Sequence, residues 1–108
     1  MVKEMIIVST ETIPGKPIVK ALGVVRGNTV RAKHLGHDIG AGLKGLVGGE
    51  IDSYTKLLSE ARDQAIQRMV ENASVMGADA IVNVRFATSS IMRLASEVLV
   101  YGTAVKLK

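Results

Sequence analysis

The strongest constraint on this chain is a single long helical pattern. Tyr54, Leu57, Leu58, Ala61, Ala65, Met69, Ala73 and Met76 recur at three- and four-residue steps, and Ile66 and Val70 widen the stripe. Glu60, Arg62, Asp63, Gln64, Gln67, Arg68 and Glu71 fill the other face. The spacing predicts a helix from Ser53 to Met76, about 36 Å long at 1.5 Å per residue. Asp52 or Ser53 is the expected N-cap, because a short side-chain oxygen there accepts one of the first free amide hydrogens. Gly77 is the expected stop, since glycine enters the left-handed conformation without steric cost. Ala61, Ala65 and Ala73 lie to one side of the stripe, so a neighbouring element can come close.

A helix with one apolar stripe needs something to lie on, and its flanks read as strands. Residues 5–9 form a short first strand stopped by Pro14-Gly15, with Pro17 beyond. Residues 18–32 carry two overlapping apolar sets, Ile18/Leu22/Val24 and Val19/Ala21/Val25. They read either as one long strand or as a hairpin turning at Gly27-Asn28. After the helix, Ala80, Val82, Val84 and Phe86 alternate with Ile81, Asn83, Arg85 and Ala87. A polar turn is expected at residues 88–90, a less definite segment at 91–94, and a last strand at 97–107 that alternates Val98/Val100/Ala104 with Leu99/Tyr101/Val105/Leu107. The expected fold is α+β: one domain over residues 1–108, order β-β-α-β-β, with the helix on an antiparallel twisted sheet. At 108 residues there is room for one core, burying about 65% of the unfolded chain's surface.

Residues 18–25 and 98–105 are apolar on both faces, and one helix covers one face. The uncovered side predicts a symmetric homo-oligomer, since a large apolar patch is costly to leave in water. Charge is also split. Residues 14–49 hold Lys16, Lys20, Arg26, Arg31, Lys33 and Lys44 against Asp38, whereas residues 50–79 hold six acidic side chains against Lys56, Arg62 and Arg68. Opposite signs on successive segments steer association or simply face water.

Composition closes several routes. No cysteine means no disulfide, thiolate nucleophile or iron–sulfur cluster. The apolar run at residues 5–8 is too short for a signal peptide, and no stretch reaches the roughly 20 apolar residues of a membrane span, so a cytoplasmic chain without a membrane partner is expected. Nucleic acid is not an expected partner despite the pI of 9.6: the basic segment has no stacking aromatic and the helix is acidic on its polar face. Residues 36–49 are dense in glycine and include Gly40-Ala-Gly42-Leu-Lys-Gly45. That GxGxxG lacks the strand before it and the helix opening within it that a dinucleotide site requires.

Chemistry-bearing residues are sparse. His34-Leu-Gly-His37-Asp38 places two imidazoles and a carboxylate within five residues, an incomplete ligand set for Zn, Ni or Cu; against it stands the plainer reading of polar loop residues. Glu50, ahead of Tyr54 and Thr55, is the most suggestive polar cluster, and Arg62, Arg68 and Arg85 are expected in structural ion pairs. No hydrolase motif is present and no cofactor is expected.

The run Gly48-Gly49-Glu50, Tyr54-Thr55, Leu57-Leu58, Ala61-Arg62, Ala65, Arg68-Met69, Gly77-Ala-Asp-Ala-Ile-Val82, Val84-Arg-Phe86 and Thr88-Ser89 closely resembles the YbjQ-like family. Val8-Ser-Thr10, Ile13-Pro-Gly15 and Gly23-Val-Val25 match it as well, so the resemblance spans nearly the whole chain. It implies an α+β subunit assembling into a homo-pentamer with a barrel-like arrangement of strands. It also brings the label "putative heavy-metal-binding" without catalytic residues or an assigned role. The expectation is a non-enzymatic homo-oligomeric binding or scaffold protein of uncharacterised role; the alternative is a heavy-metal-binding protein using His34 and His37.

Overall fold

The structure is a computed structural model that describes residues 4–32, 49–92 and 95–108, and within these the side chains other than those of 32, 49–54, 91 and 92. Four strands and one helix follow in the order β1 (Ile6–Ile7), β2 (Ile18–Ala32), α1 (Gly49–Val75), β3 (Ala80–Met92) and β4 (Ala95–Leu107). The strands form one sheet in the order β1-β3-β4-β2.

The α+β reading and the element order hold, and the details differ in four places. The sheet is mixed: β2 and β3 each run antiparallel to β4, but β1 is parallel to β3 through Ile6↔Ala80 and Ile7↔Ile81. The chain therefore crosses from one edge of the sheet to the other between β1 and β2, turning at Pro14-Gly15. There Lys16 N donates to Ile13 O at 3.0 Å and Gly15 takes φ +79°, which is a type II turn with proline and glycine in their favoured places. Residues 18–32 are a single strand with no hairpin at Gly27-Asn28, because β4 pairs with them throughout. The polar residues 88–90 are likewise strand, held by Thr88↔Val98, Ser89↔Glu97 and Ser90↔Ser96. The helix opens at Gly49, so Asp52 and Ser53 lie within its first turns and do not cap it.

Its other end follows expectation. Gly77 has φ +81°, with Gly77 N donating to Ser74 O and Ala78 N to Ala73 O at 3.0 and 3.1 Å. This is the paired closure of a Schellman stop, with Ala73 and Ala78 as its apolar contact.

The alternation along β3 changes phase at Asn83, whose φ of 54° marks a bulge in the register between Val82 and Arg85. Ile81 and Val84 consequently share the helix side, while Ala80 and Val82 face away. Two clusters result. Under the helix, Ala61, Ala65, Met69 and Ala73 pack with Val25, Ile81, Val84, Val98, Val100 and Ala104. On the reverse side at one end, Ala80, Val82 and Val105 are covered by Ile6, Val8, Ile13, Ile18 and Leu107. The N-terminal segment thus covers part of the surface that the sequence assigns wholly to a second subunit.

The close approach foreshadowed by the alanines occurs at Gly27. A Cβ there would run into the backbone of the helix at Ala65 O and Met69 N. Glycine on the strand and alanine on the helix let the two backbones touch, and Met69 fills the adjoining space with no exposure.

Candidate functional site

Neither the metal-ligand pair nor the glycine-rich segment falls where the geometry can speak: His34, His37 and the Gly40 to Gly45 run lie outside the described residues. Glu50 and Tyr54 sit in the first turns of α1, with side chains likewise outside the description. Among the described residues no group of three or more His, Cys, Asp or Glu is placed to hold a metal ion. No helix there is long and apolar enough to cross a membrane.

What the described residues do present is surface. On the side away from the helix, strand registers place residues in rows across β2, β4 and β3: Arg26–Tyr101–Arg85, then Asn28–Leu99–Ala87, then Val30–Glu97–Ser89. Val24 is 76% exposed and Val30 56% on this face, and Tyr101 stands half-exposed between two exposed arginines. Asn28 Nδ2 donates to Glu97 Oε2 at 3.3 Å, tying β2 to β4 within it. β3 is the barest element: residues 85–90 are all exposed, including Phe86 at 47%, which projects on the helix side beyond the cover that α1 gives to β2 and β4.

The two edges of the sheet are treated differently along their length. On β2, Arg68 Nη1 donates to Asn28 O at 2.7 Å and Asn72 Nδ2 to Arg26 O at 2.8 Å, while Arg31 Nη2 donates to Gln64 Oε1 at 2.7 Å. Helix side chains thereby occupy the outward carbonyls of the middle of β2, a protection that exposed edges need. On β3, the N-terminal segment pairs along the first half through Val8 N to Ile81 O, Asn83 N to Thr10 O and Val84 N to Val8 O. Arg85 Nη1, donating to Ser9 O at 2.9 Å, marks where that pairing ends.

The arginines expected in structural ion pairs make hydrogen bonds to uncharged groups inside the subunit. Arg68 and Arg85 bond to backbone carbonyls, and Arg62 Nη2 donates to Ser59 Oγ at 3.1 Å, all within the subunit. Nothing in the linear sequence flags them, because the partners of Arg68, Asn72 and Arg85 lie 40, 46 and 76 residues away. Among the described residues Lys106 Nζ forms an ion pair with Asp79 Oδ1 at 3.7 Å. Asp79 also accepts from Leu107 N at 2.8 Å, and Lys106 donates to Gly77 O, so this cluster locks the helix stop to the end of β4.

Comparison with known proteins decides the lineage. A family model described as "putative heavy-metal-binding" matches residues 5–108. The chain belongs to the YbjQ family. YbjQ-family relatives carrying the name UPF0145 protein include one from Methanosarcina acetivorans, 61% identical over 103 residues (95% of this chain, 97% of the relative), and one from Archaeoglobus fulgidus, 58% identical over 108 residues and the whole of both chains. A crystal structure of a protein of unknown function from Pediococcus pentosaceus, assigned to the DUF74 family, superposes with a TM-score of 0.62 over 96% of this chain and 98% of that one. At 18% identity that likeness speaks for the fold alone.

Proposed function

We propose that this YbjQ-family chain works as a homo-oligomeric binding or scaffold protein without catalytic activity, acting in the cytoplasm and independent of membrane and nucleic acid. The observation that carries the reading is the bare part of the sheet. Val24, Val30 and Tyr101 are large and exposed on strands whose opposite side at Val25, Thr29 and Val100 is packed to near-zero exposure, and Val19 and Phe86 are exposed further along β2 and β3. Copies of the chain supply the missing cover, and the barrel-like homo-pentamer implied by family resemblance is the assembly we favour. Any ligand is then held at the junctions between copies. Sedimentation equilibrium at micromolar concentration tests this: the expected mass is about five times the 11.5 kDa of one chain, and a single 11.5 kDa species overturns it.

The family description favours a second reading, a heavy-metal site using His34 and His37, whose imidazoles suit Zn, Ni or Cu. Two histidines are an incomplete set, so the metal would be shared between copies or completed by water. Calorimetric titration with each metal, comparing the native chain with the His34→Ala/His37→Ala double variant, separates the readings. Saturable heat lost in the variant supports the site, and identical traces remove it.

A further inference from the structure

We propose that the Arg26–Tyr101–Arg85 row, on the side of the sheet away from the helix, binds a small organic oxyanion: a phosphate ester or carboxylate carried on an apolar body. The inference rests on the homo-oligomer reading and names the class of ligand that a junction between copies holds.

Charge decides the class. Arg26 on β2 and Arg85 on β3 flank Tyr101 of β4 in one register row, which sets their Cα atoms about 10 Å apart at two strand spacings. All three side chains are exposed. The rows on either side, Val24–Thr103–Val82 and Asn28–Leu99–Ala87, are uncharged. The acidic side chain within the registered rows, Glu97, stands two rows away, about 13 Å along β4 at 3.3 Å per residue, and accepts from Asn28 Nδ2. When a second copy covers this face, both guanidinium groups leave water, and a buried charge without a counter-charge costs more than apolar cover returns. An anion therefore has to enter with the cover.

The side chains that meet it suit one chemistry. Each guanidinium presents a planar fork of donors that matches the paired oxygens of a carboxylate or phosphate. The Tyr101 hydroxyl adds a donor, and its ring offers a face for the rest of the ligand. The exposed Val24 and Ala87 and the half-buried Leu99 continue that apolar floor on both sides. Both arginines are also partly set in place beforehand, which lowers the entropy lost on binding. Arg85 Nη1 donates to Ser9 O at 2.9 Å and to Val84 O at 3.0 Å, so the side chain is anchored while its other N–H groups serve as the donors. The Arg26 carbonyl accepts from Asn72 Nδ2 at 2.8 Å, which fixes the backbone from which that side chain rises.

Calorimetric titration of the full native chain and of Arg26→Gln with phenyl phosphate, benzoate and inorganic phosphate tests this, with sedimentation equilibrium run on each protein. Arg26 carries the decision because Arg85 also anchors the N-terminal segment. The expected result is saturable binding of phenyl phosphate or benzoate, tighter than that of inorganic phosphate, which weakens about ten- to a hundredfold in an Arg26→Gln protein that sediments as the native chain does. Where Arg26→Gln fails to assemble, Arg26→Lys decides instead: it keeps the charge and loses the fork, and is expected to weaken binding severalfold. Native affinity in the deciding variant, or inorganic phosphate binding as tightly as the organic anions, overturns the proposal. Absence of saturable heat in a native chain that sediments as a multimer also overturns it, while leaving the homo-oligomer reading in place. A native chain that sediments as a monomer removes both.

Discussion

The two faces of the same three strands could hardly differ more. Beneath the helix, Val98, Val100 and Ala104 are buried in one cluster with Ala61, Ala65, Met69 and Ala73, and at Gly27 even a β-carbon is excluded. One residue along each strand, the reverse face shows Val24, Arg26, Tyr101 and Val30 to solvent. The period of two along a strand separates the tasks: one face specifies the subunit, and the other is left for what the subunit meets. Substitutions on the first should act on stability, and substitutions on the second on assembly.

The largest effect is expected at Gly27. Gly27→Ala places a methyl against Ala65 O and Met69 N, which are helix backbone and cannot swing aside. The helix must lift off β2, so Ala61, Ala65 and Met69 lose their contacts together. We expect loss of about 4 kcal/mol or more, near or beyond the whole stability of a small domain, read as insoluble or unfolded protein by circular dichroism. A variant that melts like the native chain would break the account of this face.

Next is Met69→Ala, which empties the largest side chain of the helix stripe at a fully buried position. Large-to-small changes at such sites cost about 2–5 kcal/mol, and the rigid neighbours Val100 and Val25 argue against collapse into the cavity. Denaturant unfolding should show the loss as a lower midpoint with an unchanged slope.

Thr29 sharpens the comparison in the opposite direction. It lies 2% exposed on the helix side of β2, and its Oγ1 has no hydrogen-bond partner among the described residues. A buried hydroxyl left unpaired costs about 1–3 kcal/mol, so Thr29→Val, which keeps the shape and removes the polar atom, is expected to stabilise by about 1 kcal/mol. A loss of similar size in the same unfolding assay would mean that the hydroxyl is satisfied in solution.

How far the residues alone reveal this depends on the range of the interaction. The helix, its alanine side and its glycine stop are legible because they rest on three- and four-residue spacing and on one left-handed residue. The β4 alternation is legible for the same reason, and Val98, Val100 and Ala104 do face the helix. The β3 alternation is misread because a single left-handed Asn83 shifts the phase, and asparagine at that position looks like any polar strand residue. The turn expected at residues 88–90 fails because pairing with Ser96, Glu97 and Val98 outweighs the weak strand preference of serine. The edge caps from Arg68 and Asn72, the Arg26–Tyr101–Arg85 row and the return of the N-terminal segment along β3 are invisible in one dimension, being contacts between distant segments. His34 and His37 are named by sequence, yet lie outside the described residues, so their reading still rests on residue type.

The smallest effect on the subunit itself is expected at Val24. Val24→Ser removes the most exposed large apolar side chain among the described residues of the sheet, and with 76% of it already in water the intrinsic change should stay within about 0.5 kcal/mol. Assembly is a different matter. If Val24 is covered by a neighbouring copy, the native protein's melting temperature rises with its concentration, because association draws the equilibrium toward the folded chain. Val24→Ser should flatten that dependence while leaving the dilute limit unchanged. Melting curves over a hundredfold range of concentration separate the two terms. A variant that lowers the dilute limit and keeps the slope would place Val24 with the residues that hold the subunit together, and the division between the two faces would fail at its most exposed point.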